Sequence, residues 1–486
     1  MVSRVGSWLS QSLPPGLLDL AAVLPAFRPT VAHLHEHAGR LRQSARVLRA
    51  DRSPYAERMR GLAAALEAGR LPDLGERRAE PPQAAFNGRA VMALYGAPPW
   101  LDNGYTVRTL CLLQELARQG MHCLPLTRPN FPHDLAAFRG APDRPFDEVE
   151  GQRYERLSCP EAMWEGPLDA YIRAFADRLV AVAQAHDATV VHAASNYVCG
   201  LAAALAAERI GARSVYEIRG LWHWSTVNRR PGWAESESFA LHEALERQAA
   251  SRADRVIVLS EALAEHVRGW GIPPERIHCI GNGVDLDRFS PQPRDDALRA
   301  RWGALPDSFV LGFVGTFAPY EGLDTLLEAA SLLRKRGIDA RPVLIGGGEL
   351  EPALRTLARR LDIPVHFGTR VPHADVPRVL ASMDCCPFPR EASGAALLVP
   401  PLKLGEAMAA AVPVVVAEIP PLTEMVRDGA TGRVVAPGAA ALAAGLEDAC
   451  RGRDASRRMA TAARTWMIEH RSWPALVQLL IRSWTD

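Results

Sequence analysis

"FVLGFVGTFAPYEGLDTLLEAASLLRKRGIDARPVLIGG", residues 309–347, reads as a strand, a helix and a second strand. FVLGFVG and RPVLIGG are nearly continuous apolar runs of strand length, and 322–336 between them repeats Leu and Ala at helical spacing. Strands of this kind suit a sheet covered on both faces, and a helix linking two of them suits a parallel crossover. Onward from 347 the alternation continues through helix 349–361, PVHFG, helix 373–382, DCCPFP, helix 402–410, PVVVAE, helix 420–428 and GRVV. An earlier series opens at RAVMALYG (89–96) and runs through helix 104–119, HCLPLT, helix 168–186, ATVVHA, helix 197–210, RSVYEI, helix 234–252 and RVIVLS. Between the two lies IHCIGNGVDLDRFSPQP (277–293), rich in Gly and Pro, which reads as a hinge.

The expected fold class is therefore α/β, with two Rossmann-like doubly wound parallel sheets facing a cleft. The expected boundaries are 1–87, an Arg-rich helical extension without evident chemistry; 88–275, the first Rossmann-like domain; 276–455, the second; and 456–486, helices packing back toward the first. In such sheets ligands bind beyond the carboxyl ends of the strands, so the loops there are the places to look for function.

Composition excludes several classes. A net charge of +1 over 486 residues gives no basic excess with which to neutralise a nucleic-acid backbone. No run reaches the ~18–20 apolar residues of a membrane span, and MVSRVGSWLSQSLPPGLLDLAAVLPAF at the start, broken by polar residues, Asp19 and a Pro pair, reads as neither signal peptide nor anchor, with a weak interfacial helix as the alternative. Eight cysteines without a CxxC give neither a disulfide framework nor a zinc pattern. A reduced, cytoplasmic protein without a metal is expected.

The chemistry concentrates in PREASGAALLVPPLKLGEAMAAAVPVVVAEIPPLTEMVRDGATGRVV, residues 389–435. It holds Lys403, one of two lysines in a chain with 54 arginines. Pro400 and Pro401 suit the start of a helix. Lys403 and Glu406 then share one face of its first turns, where a cation and a carboxylate suit a nucleotide diphosphate and a ribose diol. An i,i+3 salt bridge of a few tenths of a kcal/mol would also account for the pair, but would tolerate Arg. Three glycine-bearing strand-to-helix loops, at Gly104, at Gly315 with Gly322, and at Gly346–Gly348, allow close backbone approach to a phosphate or make an ordinary tight turn.

The 389–435 stretch resembles the donor-site segment of retaining glycosyltransferases of family 4. GNGVDLDRFSP resembles that family's hinge. GFVGTFAPYEGLDTLLEAASLL and LIGGGELEPALRTLARRLDIPVHFGTRVPHADVPRVLASMDCCPFP resemble its donor domain. DNGYTVRTLCLLQELARQGMHCLPLTRP and VYEIRGLW are similar to a bacterial branch that builds exopolysaccharide and cell-envelope glycans. The resemblance implies the GT-B fold and transfer of a sugar from a UDP- or GDP-linked donor to an acceptor hydroxyl, on a glycan, a lipid-linked carrier or another molecule. It implies no cofactor and no metal, and association at the inner face of a membrane or in an assembly complex is a further expectation. By the family pattern Lys403 meets the diphosphate and Glu406 the ribose, beside Leu404. Gly315 and Thr316 border the phosphates, and Phe367, Arg370 and Val371 lie toward the base. Gly104, Tyr105 and Asn196 lie on the acceptor side.

Four positions depart from that pattern. Leu398 stands for a Glu, Thr316 for an Arg, Glu321 for a Lys and Arg219 for a His. A carboxylate about 4 Å from a phosphate opposes binding by about 4 kcal/mol at an effective dielectric near 20, so Glu321 is expected to turn outward or to pair with an arginine. Arg390 and then Arg219 are the cations expected to assist Lys403, with a solvated loop arginine as the bland alternative for Arg390. His192 is read as orienting the acceptor or as a hydrogen-bonded structural residue, and His223 as a packing residue. Two other functions stay open: an epimerase or hydrolase of nucleotide sugars, and a non-catalytic partner subunit.

Overall fold

The computed structural model describes residues 28–71, 74–75, 77, 85–158, 163 and 165–485. The N-terminal stretch, read as neither signal peptide nor anchor with an interfacial helix as the alternative, lies outside them. The chain divides into two compact units. One holds the described residues up to Val258, His266–His278 and the chain from Ile481. The other holds Leu259–Glu265 and Cys279–Leu480.

In the first unit, strands β1 (Arg89–Leu94), β2 (His122–Thr127), β3 (Phe146–Val149), β4 (Gln152–Arg156), β5 (Val190–Ala194), β6 (Arg213–Ile218), β7 (Arg255–Val258) and β8 (Ile277–Cys279) form one sheet. Their order is β3-β4-β2-β1-β5-β6-β7-β8. The pairs β1–β2, β1–β5, β5–β6 and β6–β7 are parallel, and the β3–β4 hairpin is antiparallel. β1 is buried from its second residue on and β5 throughout, as strands covered on both faces require. The hairpin and β8 were not legible in the sequence, because FDEV and QRYER carry too little apolar pattern to announce strands.

Helices Arg28–His37, Leu41–Val47 and Pro54–Ala68 belong to this unit. The segment after them is tied to helix Glu237–Arg252: Leu71 N–H donates to Gln248 Oε1 at 2.9 Å, Gln248 Nε2 donates back to the Leu71 carbonyl at 3.1 Å, and Arg252 donates to the Leu74 carbonyl at 3.1 Å.

In the second unit, β9 (Phe309–Thr316), β10 (Ala340–Gly347) and β11 (His366–Gly368) run in the order β11-β10-β9, and β12 (Cys386–Phe388), β13 (Val414–Ala417) and β14 (Arg433–Val435) in the order β12-β13-β14, with every pair parallel. A parallel bridge between Leu311 and Cys385 joins β9 to the end of β12. The two-residue period of β9 divides its side chains: Phe309, Leu311 and Phe313 enter one core with helices Leu323–Lys335 and Ala439–Arg451, and Val310 enters the other with helix Leu402–Ala409. Both faces are thus covered, which makes the layer arrangement doubly wound.

The C-terminal helices correct one expectation. Helix Arg453–His470 joins the second unit, where Ala463 and Met467 pack in the core beside Leu404 and Met408, and only the chain from Ile481 falls in the first. The small apolar stripe of the helix finds its partner on helix Leu402–Ala409, which the sequence alone could not specify. Among the described residues no helix is long and apolar enough to cross a membrane.

Candidate functional site

Lys403 lies in the first turn of helix Leu402–Ala409, with extended Pro401 as its N-cap. Its Nζ does not pair down the helix with Glu406. It reaches the loop after β9, donating to Glu321 Oε1 at 2.9 Å, and sits 4.3 Å from the centre of the Phe313 ring. Gly315 sits directly beneath it at φ +148°, where an added Cβ would fall 2.9 Å from Nζ. The backbone angle favours glycine here, and a Cβ would also press on the end of the lysine side chain.

Glu321 therefore does not turn outward. The carboxylate is 4% exposed and lies between Lys403 and Arg390, whose Nε is 3.6 Å from Glu321 Oε2. The turn that carries it is fixed in place: Gly322, at φ +66°, packs so tightly on the end of β12 that a Cβ there would lie 1.9 Å from the Pro389 carbonyl oxygen. Burial pushes the Glu321 carboxyl up, but Lys403 and Arg390 outweigh it and hold the group below its ordinary range. Burial pushes the Lys403 ammonium down, and Glu321 works against that fall. Arg390 is not a solvated loop residue. It is 6% exposed, donates to the Val399 carbonyl at 2.9 Å and lies over the Tyr320 ring.

Glu406 accepts from His373 Nε2 at 3.2 Å, and the other nitrogen of that imidazole faces Arg288 at 2.8 Å. Neither His373 nor Arg288 was singled out from the sequence, because nothing in their spacing ties them to Glu406. The Leu404 side chain is fully buried in the core, which leaves only its backbone to meet a ligand. Thr316 is exposed at the end of β9. Phe367 lies in β11 under the Arg355 guanidinium at 4.4 Å, Arg370 is exposed, and Val371 packs partly against the core. Leu398, where the family pattern has Glu, is buried.

In the first unit the hub is a residue the sequence reading passed over. Glu217, fully buried in β6, takes Arg108 Nε at 2.8 Å and NH2 at 2.6 Å on one oxygen, and Arg219 Nε at 2.8 Å on the other. Burial pushes this carboxyl up, but Arg108, Arg219 and His192 together hold it well below the usual carboxylate range. Arg219 also donates to the Tyr105 carbonyl at 2.8 Å and stacks over the Tyr105 ring. It is thus built into the structure rather than free to swing.

Of the two readings of His192, orienting the acceptor or a hydrogen-bonded structural residue, the geometry fits the second. It is fully buried, its Nε2 meets Glu217 Oε2 at 3.3 Å, and its Nδ1 accepts from Trp484 Nε1 at 3.3 Å. With both ring nitrogens engaged and burial lowering its pKa, it is held as a neutral imidazole. His223, also buried, donates to Glu243, which in addition takes His266, Trp270 and Trp224. Gly104 opens helix Gly104–Arg118 at an exposed position, behind an Asn103–Thr106 capping box. Tyr105 is anchored through its hydroxyl to Tyr95 N–H and the Ala194 carbonyl. Asn196 caps helix Tyr197–Ile210 through Val198 N–H at 3.2 Å.

These two units match two family models, "Glycosyl transferase 4-like domain" over residues 103–283 and "Glycosyl transferases group 1" over residues 295–466. A GDP-mannose-dependent alpha-mannosyltransferase of Mycolicibacterium smegmatis is 30% identical over 319 residues, covering 64% of this chain and 75% of that protein. The chain belongs to the group 1 glycosyl transferase family. A D-inositol 3-phosphate glycosyltransferase of Actinosynnema mirum is 34% identical over 205 residues, 39% of this chain; the match spans about half of that relative (47%). Among solved structures, the Anabaena protein HepE in complex with UDP superposes with a TM-score of 0.64 at 17% identity, covering 81% of this chain and 99% of that one. Two Rossmann-like units in a group 1 glycosyl transferase make the fold GT-B.

Proposed function

We propose that the chain transfers a sugar, with retained anomeric configuration, from a UDP- or GDP-sugar to an acceptor hydroxyl in polysaccharide or cell-envelope glycan assembly. The observation that carries this reading is the grouping at the carboxyl ends of β9 and β12: the Lys403 ammonium and Arg390 guanidinium beside the Gly315 turn, with Glu406 one turn farther along the helix of Lys403. Charge grows on a diphosphate as its bond to the sugar breaks, and fixed cations already in place stabilise that charge without reorganising. Lys403 and Arg390 take the diphosphate in the place of a metal ion, Gly315 and Thr316 border it, and Glu406 exchanges its His373 hydrogen bond for the ribose hydroxyls. Backbone at Leu404 and side chains of Phe367, Arg370 and Val371 line the nucleotide side. Gly104, Tyr105 and Asn196 serve the acceptor, a glycan, a lipid-linked carrier or another hydroxyl compound, while Arg219, locked on Glu217 and Tyr105, is not the second cation beside Lys403 that the sequence suggested. We place the work in the cytoplasm, with peripheral attachment to a membrane or an assembly complex.

The GDP-mannose dependence in the name of one relative and the UDP held by a fold neighbour support a nucleoside-diphosphate donor without choosing its base. A thermal-shift screen with UDP, GDP, ADP and TDP tests the reading, since a ligand of the native state raises its stability. Binding of at least one nucleotide, followed by acceptor-dependent release of that nucleotide from its sugar, is expected. Consumption of the sugar donor without any acceptor would mark a hydrolase or epimerase. The absence of any nucleotide binding would mark a non-catalytic subunit.

A further inference from the structure

We propose that Glu321 is a positioning residue of the donor site: its buried carboxylate holds the Lys403 ammonium against the Gly315 turn and keeps it charged until a diphosphate shares the pairing. This rests on Lys403 as a diphosphate ligand, and adds a role for a residue whose charge is opposite to that expected there.

Pro319–Glu321 is a single 3-10 turn closed by left-handed Gly322, whose backbone abuts the Pro389 carbonyl, so the turn is fixed against the end of β12 with the Glu321 side chain buried. One Glu321 oxygen meets Lys403 at 2.9 Å. The other, Oε2, makes no hydrogen bond to any described residue, and neither does Arg390 Nε, although the two lie 3.6 Å apart and both are buried. An unmet donor and an unmet acceptor facing each other in a buried place are costly, and are what a ligand oxygen arriving at Arg390 would relieve on the donor's side. Glu321 meanwhile stays on Lys403.

Three charged groups face Lys403: Glu321 from the turn after β9, Arg390 from the end of β12, and Glu406 from its own helix. Without Glu321 the ammonium would face a guanidinium across a largely apolar space floored by Phe313, with Glu406 alone favouring its charge. Burial already pushes the amine down, and the carboxylate works against that fall.

The chain's two lysines make the test direct. With lysine labelled at Cε with carbon-13, and the exposed Lys335 changed to Arg, one signal reports Lys403. Its titration is compared between the otherwise wild-type chain and Glu321→Gln, beside the affinity for UDP and GDP over the same pH range. The Lys403 midpoint is expected to fall by about one pH unit or more in Glu321→Gln. Above that midpoint nucleotide affinity should fall about tenfold per pH unit relative to the wild type, and at lower pH it should be equal or tighter. Identical midpoints, or identical pH limits of binding, would overturn the proposal. Should circular dichroism show Glu321→Gln unfolded, two other readouts decide: the Lys403 signal of the wild type must move as Glu321 protonates in acid, and Glu321→Asp must keep the wild-type midpoint. Absence of both responses would refute the pairing. If Glu321→Gln shifts the Lys403 titration while no nucleotide moves that signal, the donor reading fails, and the failure is distinct from that of the ion pair.

Discussion

Removing the Lys403 ammonium should do more harm than removing a cation alone. A unit charge about 4 Å from a phosphate contributes about 4 kcal/mol at an effective dielectric near 20, so Lys403→Ala is expected to weaken UDP or GDP binding by roughly a thousandfold. Glu321, 4% exposed in the wild type, is then left with only Arg390 near, at 3.6 Å. Its charge, taken at about 7 Å from the phosphate, opposes binding by about 2 kcal/mol more. Adding Glu321→Gln to Lys403→Ala removes that opposition and should restore roughly thirtyfold, although neither change supplies a new contact. Calorimetric titration of the wild type, both single variants and the double variant measures the cycle, with circular dichroism to establish that each is folded. Wild-type affinity in Lys403→Ala would remove the lysine from the donor site. Equal affinities in Lys403→Ala and the double variant would show that the Glu321 charge does not reach the nucleotide.

Gly315→Ala should strain a backbone at φ +148° by about 1–3 kcal/mol and press a methyl on the ammonium, lowering nucleotide affinity at least about tenfold with only a few degrees lost in thermal unfolding. Glu217→Gln leaves Arg108 and Arg219 buried without their shared charge partner, and a loss of about 3–5 kcal/mol is expected in denaturant unfolding. Because the folded Glu217 carboxyl is held well below its ordinary range, its contribution is present above an unfolded pKa of about 4.3 and is lost as pH falls through the folded value. The wild type should therefore lose stability in acid more steeply than Glu217→Gln, as thermal melts at a series of acid pH values would show. Lys403→Arg keeps the charge but puts a longer, planar group into a space bounded by Glu321, Phe313 and Gly315. Retained folding with about tenfold weaker nucleotide binding is expected, and wild-type binding would show that charge alone suffices.

The strands were legible wherever they are buried on both faces, because burial forces an apolar run: β9, β10, β13 and β6 lie where FVLGFVG, RPVLIGG, PVVVAE and RSVYEI announce them. The β3–β4 hairpin, half exposed and rich in charge, gives no such signal. At the site, Lys403 and Glu406 were found through their common helix, a local spacing that sequence records. The partners that decide what those residues do come from elsewhere in the chain. Glu321 is 82 positions from Lys403 and His373 is 33 from Glu406, and only packing brings them together. His192 shows the converse. A histidine ending an apolar strand invites a catalytic reading, yet Trp484, 292 positions away, closes over its second nitrogen.

The sparing use of lysine in this chain follows from the same geometry. At positions such as 219 and 252 a guanidinium reaches carbonyls or carboxylates through several donors. At 403 the cation must stand over an aromatic face, touch one carboxylate and leave the glycine turn below it open to a ligand. A compact charge on a thin stem meets all three demands; a fork of planar donors would fill the opening it is meant to serve. Glu321 belongs to that solution. Lys403, Arg390 and Glu321 together carry a surplus of one positive charge, which Glu406 on the same helix as Lys403 offsets from outside the trio. In the proposed donor role the trio draws a diphosphate without a preformed anion seat having to be vacated. Had position 321 carried a third cation instead, Lys403 would have been pushed toward its neutral form by two like charges in a buried place.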